Sequence, residues 1–164
     1  MNMTSLADIR NAGFEGFVPI GSLLDRIKDV PQKSGVYLVI APDDFVTEYL
    51  EAGSGGWFKG RDPNVALTVL TNAWIQGARV INIGKAGGPT SSSTLRKRLR
   101  QYMCFGQGQA IGHWGGRYIW QLRAASTLLI AWKITESDPR QVERELIAAF
   151  QKQYGARPFA NLQN

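Results

Sequence analysis

Glu143 occupies a position that asks for a chemical explanation. The segment from Pro139 to Tyr154 reads as a helix, because Asp138 fits an N-cap, Pro139 the first helical position and Gly155 the residue just past the end. At about 100° per residue, Val142, Leu146, Phe150, Tyr154 and Ile147 share one apolar arc. Glu143 falls inside that arc, whereas Arg144 and Glu145 project elsewhere, toward water. A carboxylate turned to the apolar side is costly to bury unless it is paired, protonated or bound to a metal. Two readings stand: a structural ion pair with one of the arginines, or a functional carboxylate.

A second constellation lies on the stretch from Thr94 to Met103, also read as a helix. Leu95, Leu99 and Met103 form an inward stripe, and Arg98 and Tyr102, four residues apart, share the flank beside it. Arg96, Lys97 and Arg100 lie further round, where a solvated basic face explains them. Arg98, next to an apolar stripe with a phenol on the same side, is placed to present its planar fork to a phosphate. The run Gly84-Lys85-Ala86-Gly87-Gly88 invites comparison with a phosphate-binding P-loop, but its lysine precedes the paired glycines and no Ser or Thr follows it in the required place. His113 is the single histidine and has no partner at metal-ligand spacing, so zinc is not indicated. A satisfied loop histidine is its commonest fate, and a basic role near a phosphate stays open.

These groups need elements to hold them. Gly21 to Asp29, with Leu23, Leu24 and Ile27, predicts a short lead-in helix closed by Pro31. Gly35 to Ile40 is β-branched and aromatic and predicts a strand. Gly53 to Pro63 is glycine-rich but holds Trp57, Phe58, Lys59 and Arg61, which predicts a surface loop of aromatic and basic character. A helix is expected from Asn64 to Gln76, a strand from Arg79 to Ile83 and a loop from Gly84 to Ser93. Gly106 to Gly116 is a glycine-rich turn region leading into Arg117 to Leu122. Thr127 to Ile134 is apolar nearly throughout, as in a strand buried on both faces. Alternating short strands and helices predict a small α+β domain around a mostly antiparallel sheet.

Composition sets the outer limits. With 164 residues, 44% of them hydrophobic, the chain suits one compact domain better than two. Nineteen Lys and Arg against 13 Asp and Glu give a net charge of +6, which suits a polyanionic partner without choosing among nucleic acid, an acidic protein and a membrane surface. The single cysteine, Cys104, excludes an internal disulfide framework and a cysteine-rich zinc site. Asp8, Arg10 and Glu15 interrupt the apolar residues of Met1 to Phe17, and the longest apolar stretch, Val36 to Ala41, is far below the ~20 residues of a membrane helix. The expectation is a cytoplasmic protein with no membrane partner.

Taken together, the residues resemble the GIY-YIG nuclease superfamily. Gly35-Val36-Tyr37 stands where the family has its first tripeptide, and Asn82-Ile83-Gly84, followed by Lys85-Ala86, stands at the second. Arg98-Leu99-x-x-Tyr102 is similar to the helix carrying the family's arginine and, four residues on, a His or Tyr. Glu143 with Ile147 resembles its metal-binding glutamate helix, and Pro158 to Asn161 its terminal Pro-x-x-Asn. The resemblance runs from about Pro31 to Asn161 with the motifs in family order. The segment from His113 to Arg117, followed by Trp120-Gln121-Leu122, also looks like a bacterial subgroup. Two departures stand out: Asn82 replaces the second tyrosine, and an insertion of about residues 42–78 separates the two tripeptides. Residues 1–30 are a lead-in, and the whole of 1–164 is one nuclease-like domain.

What the resemblance implies is a metal-dependent DNA endonuclease that hydrolyses phosphodiester bonds by in-line attack of water. Tyr37 would be the base or its relay, with Lys85 sharing the proton; Arg98 would stabilise the phosphoryl oxygens. Glu143 would hold one Mg²⁺ or Mn²⁺, Tyr102 would position the phosphate or the water, and Asn161 would orient the site. Asn82 donates and accepts hydrogen bonds but cannot serve as a phenolic acid or base. Lys59, Arg61, Arg96, Lys97, His113 and Arg117 are the expected DNA contacts. A different class stays open beside this one: a nucleic-acid-binding module of the same fold without turnover. A basic protein-interaction domain, with no salt-dependent affinity for DNA, is a third.

Overall fold

The computed structural model describes residues 1–162. Four strands form one antiparallel sheet in the order β1-β4-β2-β3: β1 Glu15–Pro19, β2 Gly35–Ile40, β3 Val80–Ala86 and β4 Leu129–Ile134. Helix α1 spans Leu6–Asn11, α2 Ile20–Leu23, α3 Leu67–Ala73, α4 Leu95–Gly106 and α5 Pro139–Tyr154, with 3-10 turns at Ile27–Asp29, Trp114–Gln121 and Ala125–Thr127. This is the α+β architecture, an antiparallel sheet flanked by helices, that the alternating pattern implies.

The sheet is covered on both faces, which explains why β2 is buried at every one of its six positions. On one face Tyr37, Val39, Ile130 and Trp132 pack with Leu95, Leu99, Tyr102 and Met103 of α4. On the other, Val36, Leu38, Ile40 and Ile83 pack with Leu146, Ile147 and Phe150 of α5 and with Ile9 of α1. Strand alternation thus sends Tyr37 to the α4 side and its neighbours to the α5 side. Helix α5 begins and ends as expected: Asp138 accepts from the Arg140 N–H, Pro139 opens the helix, and Gly155 takes the left-handed conformation that closes it.

Several elements differ from expectation. Residues 1–30 are more than a lead-in, since β1 is an edge strand of the sheet. It is short, holds Gly16 and Pro19, and shifts register between Gly16 and Val18, so it shows no alternation in sequence; pairing with β4 makes it a strand. The lead-in helix is confined to Ile20–Leu23, followed by the separate 3-10 turn. β3 runs on through Gly84, Lys85 and Ala86, where the glycine content predicts a loop; cross-strand pairing with Gly35 to Tyr37 holds this segment extended. Helix α3 is shorter than expected because Trp74 turns extended and packs its indole against Phe45 and Phe159. The stretch before Leu122 is a 3-10 turn.

Backbone hydrogen bonds from Leu50, Ser54 and Gly56 tie the insertion to the domain, and one buried side chain adds to them. Gln121, 1% exposed, donates from Nε2 to the carbonyls of Leu50 and Val65 and accepts from the Val65 N–H, with distances of 2.8 to 3.0 Å. A buried carboxamide with three backbone partners holds two parts of the insertion against the domain. At its tip, Phe58 to Arg61 make a tight turn that leaves Trp57 57% exposed.

Candidate active site

β3 is one of the two edge strands of the sheet, and an open edge presents unpaired backbone groups. The C-terminal segment covers part of it. Asn161 accepts from the Ile83 N–H at 2.8 Å and donates to the Ile83 carbonyl at 2.7 Å, so its carboxamide takes the place of a neighbouring strand; the Ala160 N–H bonds the Ile81 carbonyl at 2.8 Å. Beyond this cap a polar cleft of about 640 Å³ opens over the β3 edge, between α4 and α5.

Tyr37, Asn82, Lys85, Arg98, His113, Glu143 and Asn161 all line this one cleft. They come from β2, β3, α4, a loop, α5 and the C-terminal segment, so only the tertiary fold joins them. Tyr37 is opposite Gly84 in the β2–β3 ladder, and its ring lies where a Cβ on Gly84 would stand. Any larger residue at position 84 would displace the phenol, which gives the glycine a packing reason. Tyr102 is fully buried beneath the cleft, its ring edge-on to Tyr37 at 5.9 Å and its own hydroxyl spent on Asn82 at 3.1 Å. The expected role of touching phosphate or water therefore does not fit Tyr102: it supports the floor.

Asn82 is 5% exposed and is held by Tyr102, by the Ala160 carbonyl at 3.1 Å and by Asn161 at 3.4 Å. Arg98 is half-buried, with one guanidinium nitrogen donating to the Gly112 carbonyl at 3.1 Å. Glu143 is half-buried and takes part in none of the three ion pairs found among the described residues. That disfavours the structural ion pair. Its face is right but its depth is not: the apolar arc opens into the cleft at this position. Burial pushes the Glu143 carboxyl above its ordinary range, and Lys85, Arg98, Arg157 and Arg140 pull it back.

Burial also dominates the phenol. Tyr37 is pushed up to about 12, with the Arg98 charge opposing and the Glu143 charge adding to the shift. The positive charge expected to make it a ready base is present, but desolvation outweighs it. His113, buried and close to Arg98, is pulled down to about 3, chiefly by desolvation. Both effects favour the neutral imidazole, whose Nε2 is 3.2 Å from the Tyr37 hydroxyl. Reading His113 as a DNA contact misses this, because 76 residues separate the two in sequence.

The remaining expected DNA contacts divide. Lys97 lines the cleft. Arg96 does not: its guanidinium donates to the carbonyls of Val30 and Lys28, each at 2.9 Å, because the first turn of α4 packs on that segment. Arg117 lies over the Trp114 ring at 4.7 Å, and Arg61 lies 4.8 Å from the same ring. Lys59 is exposed on the insertion turn, and neither it nor Arg61 borders the cleft. Arg157, which sequence reasoning did not single out, and Arg144, which it turned away from Glu143 toward water, do border it. Arg157 immediately precedes the Pro158 motif, the one local signal that pointed there.

The donor set suits one kind of metal. Among the described residues there is no group of three or more His, Cys, Asp or Glu side chains able to hold an ion. A lone carboxylate beside a cleft fits a hard, largely hydrated divalent cation completed by substrate phosphate, and does not fit zinc. Five cationic side chains, Lys85, Lys97, Arg98, Arg144 and Arg157, line the cleft around that carboxylate. Among the described residues, no helix is long and apolar enough to cross a membrane. No protein-family model, curated protein or solved structure matches the chain.

Proposed function

We propose that the protein is a metal-dependent DNA endonuclease of the GIY-YIG type. One observation carries the reading: Tyr37, Arg98 and Glu143, on three separate elements, meet at a single polar cleft whose other charged residues are cationic. A phosphodiester is an anion that gains negative charge on its equatorial oxygens as water attacks, and a cleft of this charge favours both states.

Arg98 is the residue for that developing charge. Its bond to the Gly112 carbonyl fixes the guanidinium and leaves further N–H groups for phosphate oxygens. Tyr37 contacts the attacking water through its phenolic oxygen and is the base, or the relay, for the proton that water gives up, with the Lys85 charge beside it in the cleft. Glu143 would hold one Mg²⁺ or Mn²⁺, which supplies charge neutralisation at the leaving oxygen and acidifies bound water. Asn161 and Asn82 keep β3 and the C-terminal segment in register beneath the phosphate. Lys97, Arg144 and Arg157 extend the cationic wall to flanking phosphates.

The binding-module reading draws on the burial of Tyr37, which holds the phenol near 12, far from the phenolate that would be the stronger base. Incubation of purified protein with supercoiled plasmid and Mg²⁺ or Mn²⁺ separates the two, with EDTA and Glu143→Ala as controls. Nicking that needs both metal and Glu143 supports the endonuclease. Salt-dependent binding without any cleavage supports the module.

A further inference from the structure

His113 is the only histidine of the chain and is 4% exposed, on the loop that reaches over α4. Three contacts fix it. Its Nε2 is 3.2 Å from the Tyr37 hydroxyl. Its ring lies on Tyr102 with centroids 3.9 Å apart and a 31° tilt. The residue before it, Gly112, is anchored through its carbonyl to Arg98. Its Nδ1 is buried without a protein partner, so Tyr37 is the side chain that its ring nitrogens engage.

The direction of the Tyr37–His113 bond follows from what surrounds the phenol. Arg98, on α4, carries donors only, and its charge acts on the Tyr37 phenol, so it can donate a hydrogen bond to that oxygen but cannot accept one from it. The hydroxyl's own hydrogen must go to a neighbour that can accept it. Tyr102 is committed to Asn82, while Lys85 is a donor and Glu143 lines α5 across the cleft. The nitrogen at 3.2 Å is the acceptor in reach, provided the imidazole is neutral with its proton on Nδ1. Burial and the nearby Arg98 charge both favour the neutral ring.

We propose that His113 is a positioning residue for Tyr37: its Nε2 accepts the hydrogen bond of the Tyr37 hydroxyl, which fixes the phenolic rotor and turns the free lone pair of the oxygen into the cleft. There the oxygen receives a hydrogen bond from the attacking water and aims it at phosphorus. This last step rests on the endonuclease reading; the hydrogen bond itself does not. A freely turning hydroxyl would spend part of its time directing its proton at the water, and misaligned water is lost rate.

A single histidine makes the test direct. In protein labelled with ¹⁵N-histidine, a long-range ¹H–¹⁵N correlation at neutral pH reads the tautomer without turnover. The expected result is an Nδ1-protonated neutral ring whose Nε2 resonance moves in Tyr37→Phe. An Nε2-protonated ring, an imidazolium, or an Nε2 resonance indifferent to Tyr37→Phe overturns the proposal. In cleavage assays His113→Phe, which keeps an aromatic ring for Tyr102, lowers kcat on the order of 10- to 100-fold with KM and DNA affinity unchanged. His113→Gln, which retains an acceptor, recovers part of the loss, and wild-type kcat in His113→Phe overturns the positioning role. A protein that never cuts DNA rejects the endonuclease reading, while the tautomer still decides where the Tyr37 proton points.

Discussion

The buried hydroxyl of Tyr102 donates to Oδ1 of Asn82 across 3.1 Å, and Nδ2 of Asn82 donates onward to the Ala160 carbonyl across another 3.1 Å. The chain of bonds ties α4 to β3 and β3 to the C-terminal segment that caps the sheet edge. Asn82, which stands where the resemblance expects a tyrosine, is thereby a bridge in the floor of the cleft. A buried network with every member satisfied fixes geometry; with one member removed, it leaves polar groups orphaned.

Asn82→Ala should lower stability by about 1–3 kcal/mol, the usual cost of leaving buried hydrogen-bonding groups without partners. Urea unfolding measures it, and a double-mutant cycle with Tyr102→Phe should show coupling between the two sites. Asn82→Tyr should also destabilise, since position 82 is 5% exposed and hemmed in by Tyr102, Ala160 and Asn161. An Asn82→Tyr protein as stable as wild type would show that the floor has room for a ring.

Divalent metal should bind the free protein poorly. Lys85, Arg98, Arg157 and Arg140 act on Glu143 together, and their charge repels a cation until phosphate neutralises it. Calorimetry with Mg²⁺ alone should give no saturable heat at millimolar concentration. DNA bound to the Arg98→Ala variant should create a site that Glu143→Ala removes and Glu145→Ala, on the exposed face, leaves intact. Tight Mg²⁺ binding without DNA would contradict this account of the site.

The salt dependence of DNA affinity should locate the strand. Replacing Lys97 and Arg144, on opposite walls of the cleft, by alanine should reduce the slope of log K against log salt by up to about two, one for each phosphate that no longer meets a cation. Replacing Lys59 and Arg61 should change it less, because both lie outside the cleft and Arg61 rests on Trp114. A larger change from the loop pair would route the DNA over the insertion.

Acid should destabilise the protein through His113. Its folded-state value, about 3, lies below the ordinary 6.5, so the unfolded chain binds the extra proton throughout that window. The contribution is fully present above pH 6.5 and is lost progressively as pH falls toward 3, a span worth several kcal/mol at about 1.4 kcal/mol per unit. Denaturant midpoints measured at about pH 7 and about pH 4.5, either side of the ordinary histidine value, should differ less in His113→Phe than in wild type. Equal pH dependence in both proteins would mean that the imidazole is not buried neutral.

Much was legible in the sequence because it is written in local pattern. The ends of α5, the stripe of α4 and the buried β2 follow from spacing, caps and side-chain type, and those signals also placed Glu143 and Arg98 on the correct elements. β1 was not legible, since a five-residue strand with Gly16 and Pro19 has no pattern apart from its pairing with β4. Sequence alone put Arg96 among the DNA contacts and kept Tyr102 beside the chemistry; packing gave Arg96 to two backbone carbonyls and sank Tyr102 under the cleft. Hydrogen bonds such as those of Tyr37 to His113 and Asn161 to Ile83 cross 76 and 78 residues, beyond any local periodicity. Residue type and period determined which elements form and which side chains could do chemistry. The tertiary structure decided depth, partner and protonation, because desolvation and hydrogen bonding depend on neighbours that only folding brings together.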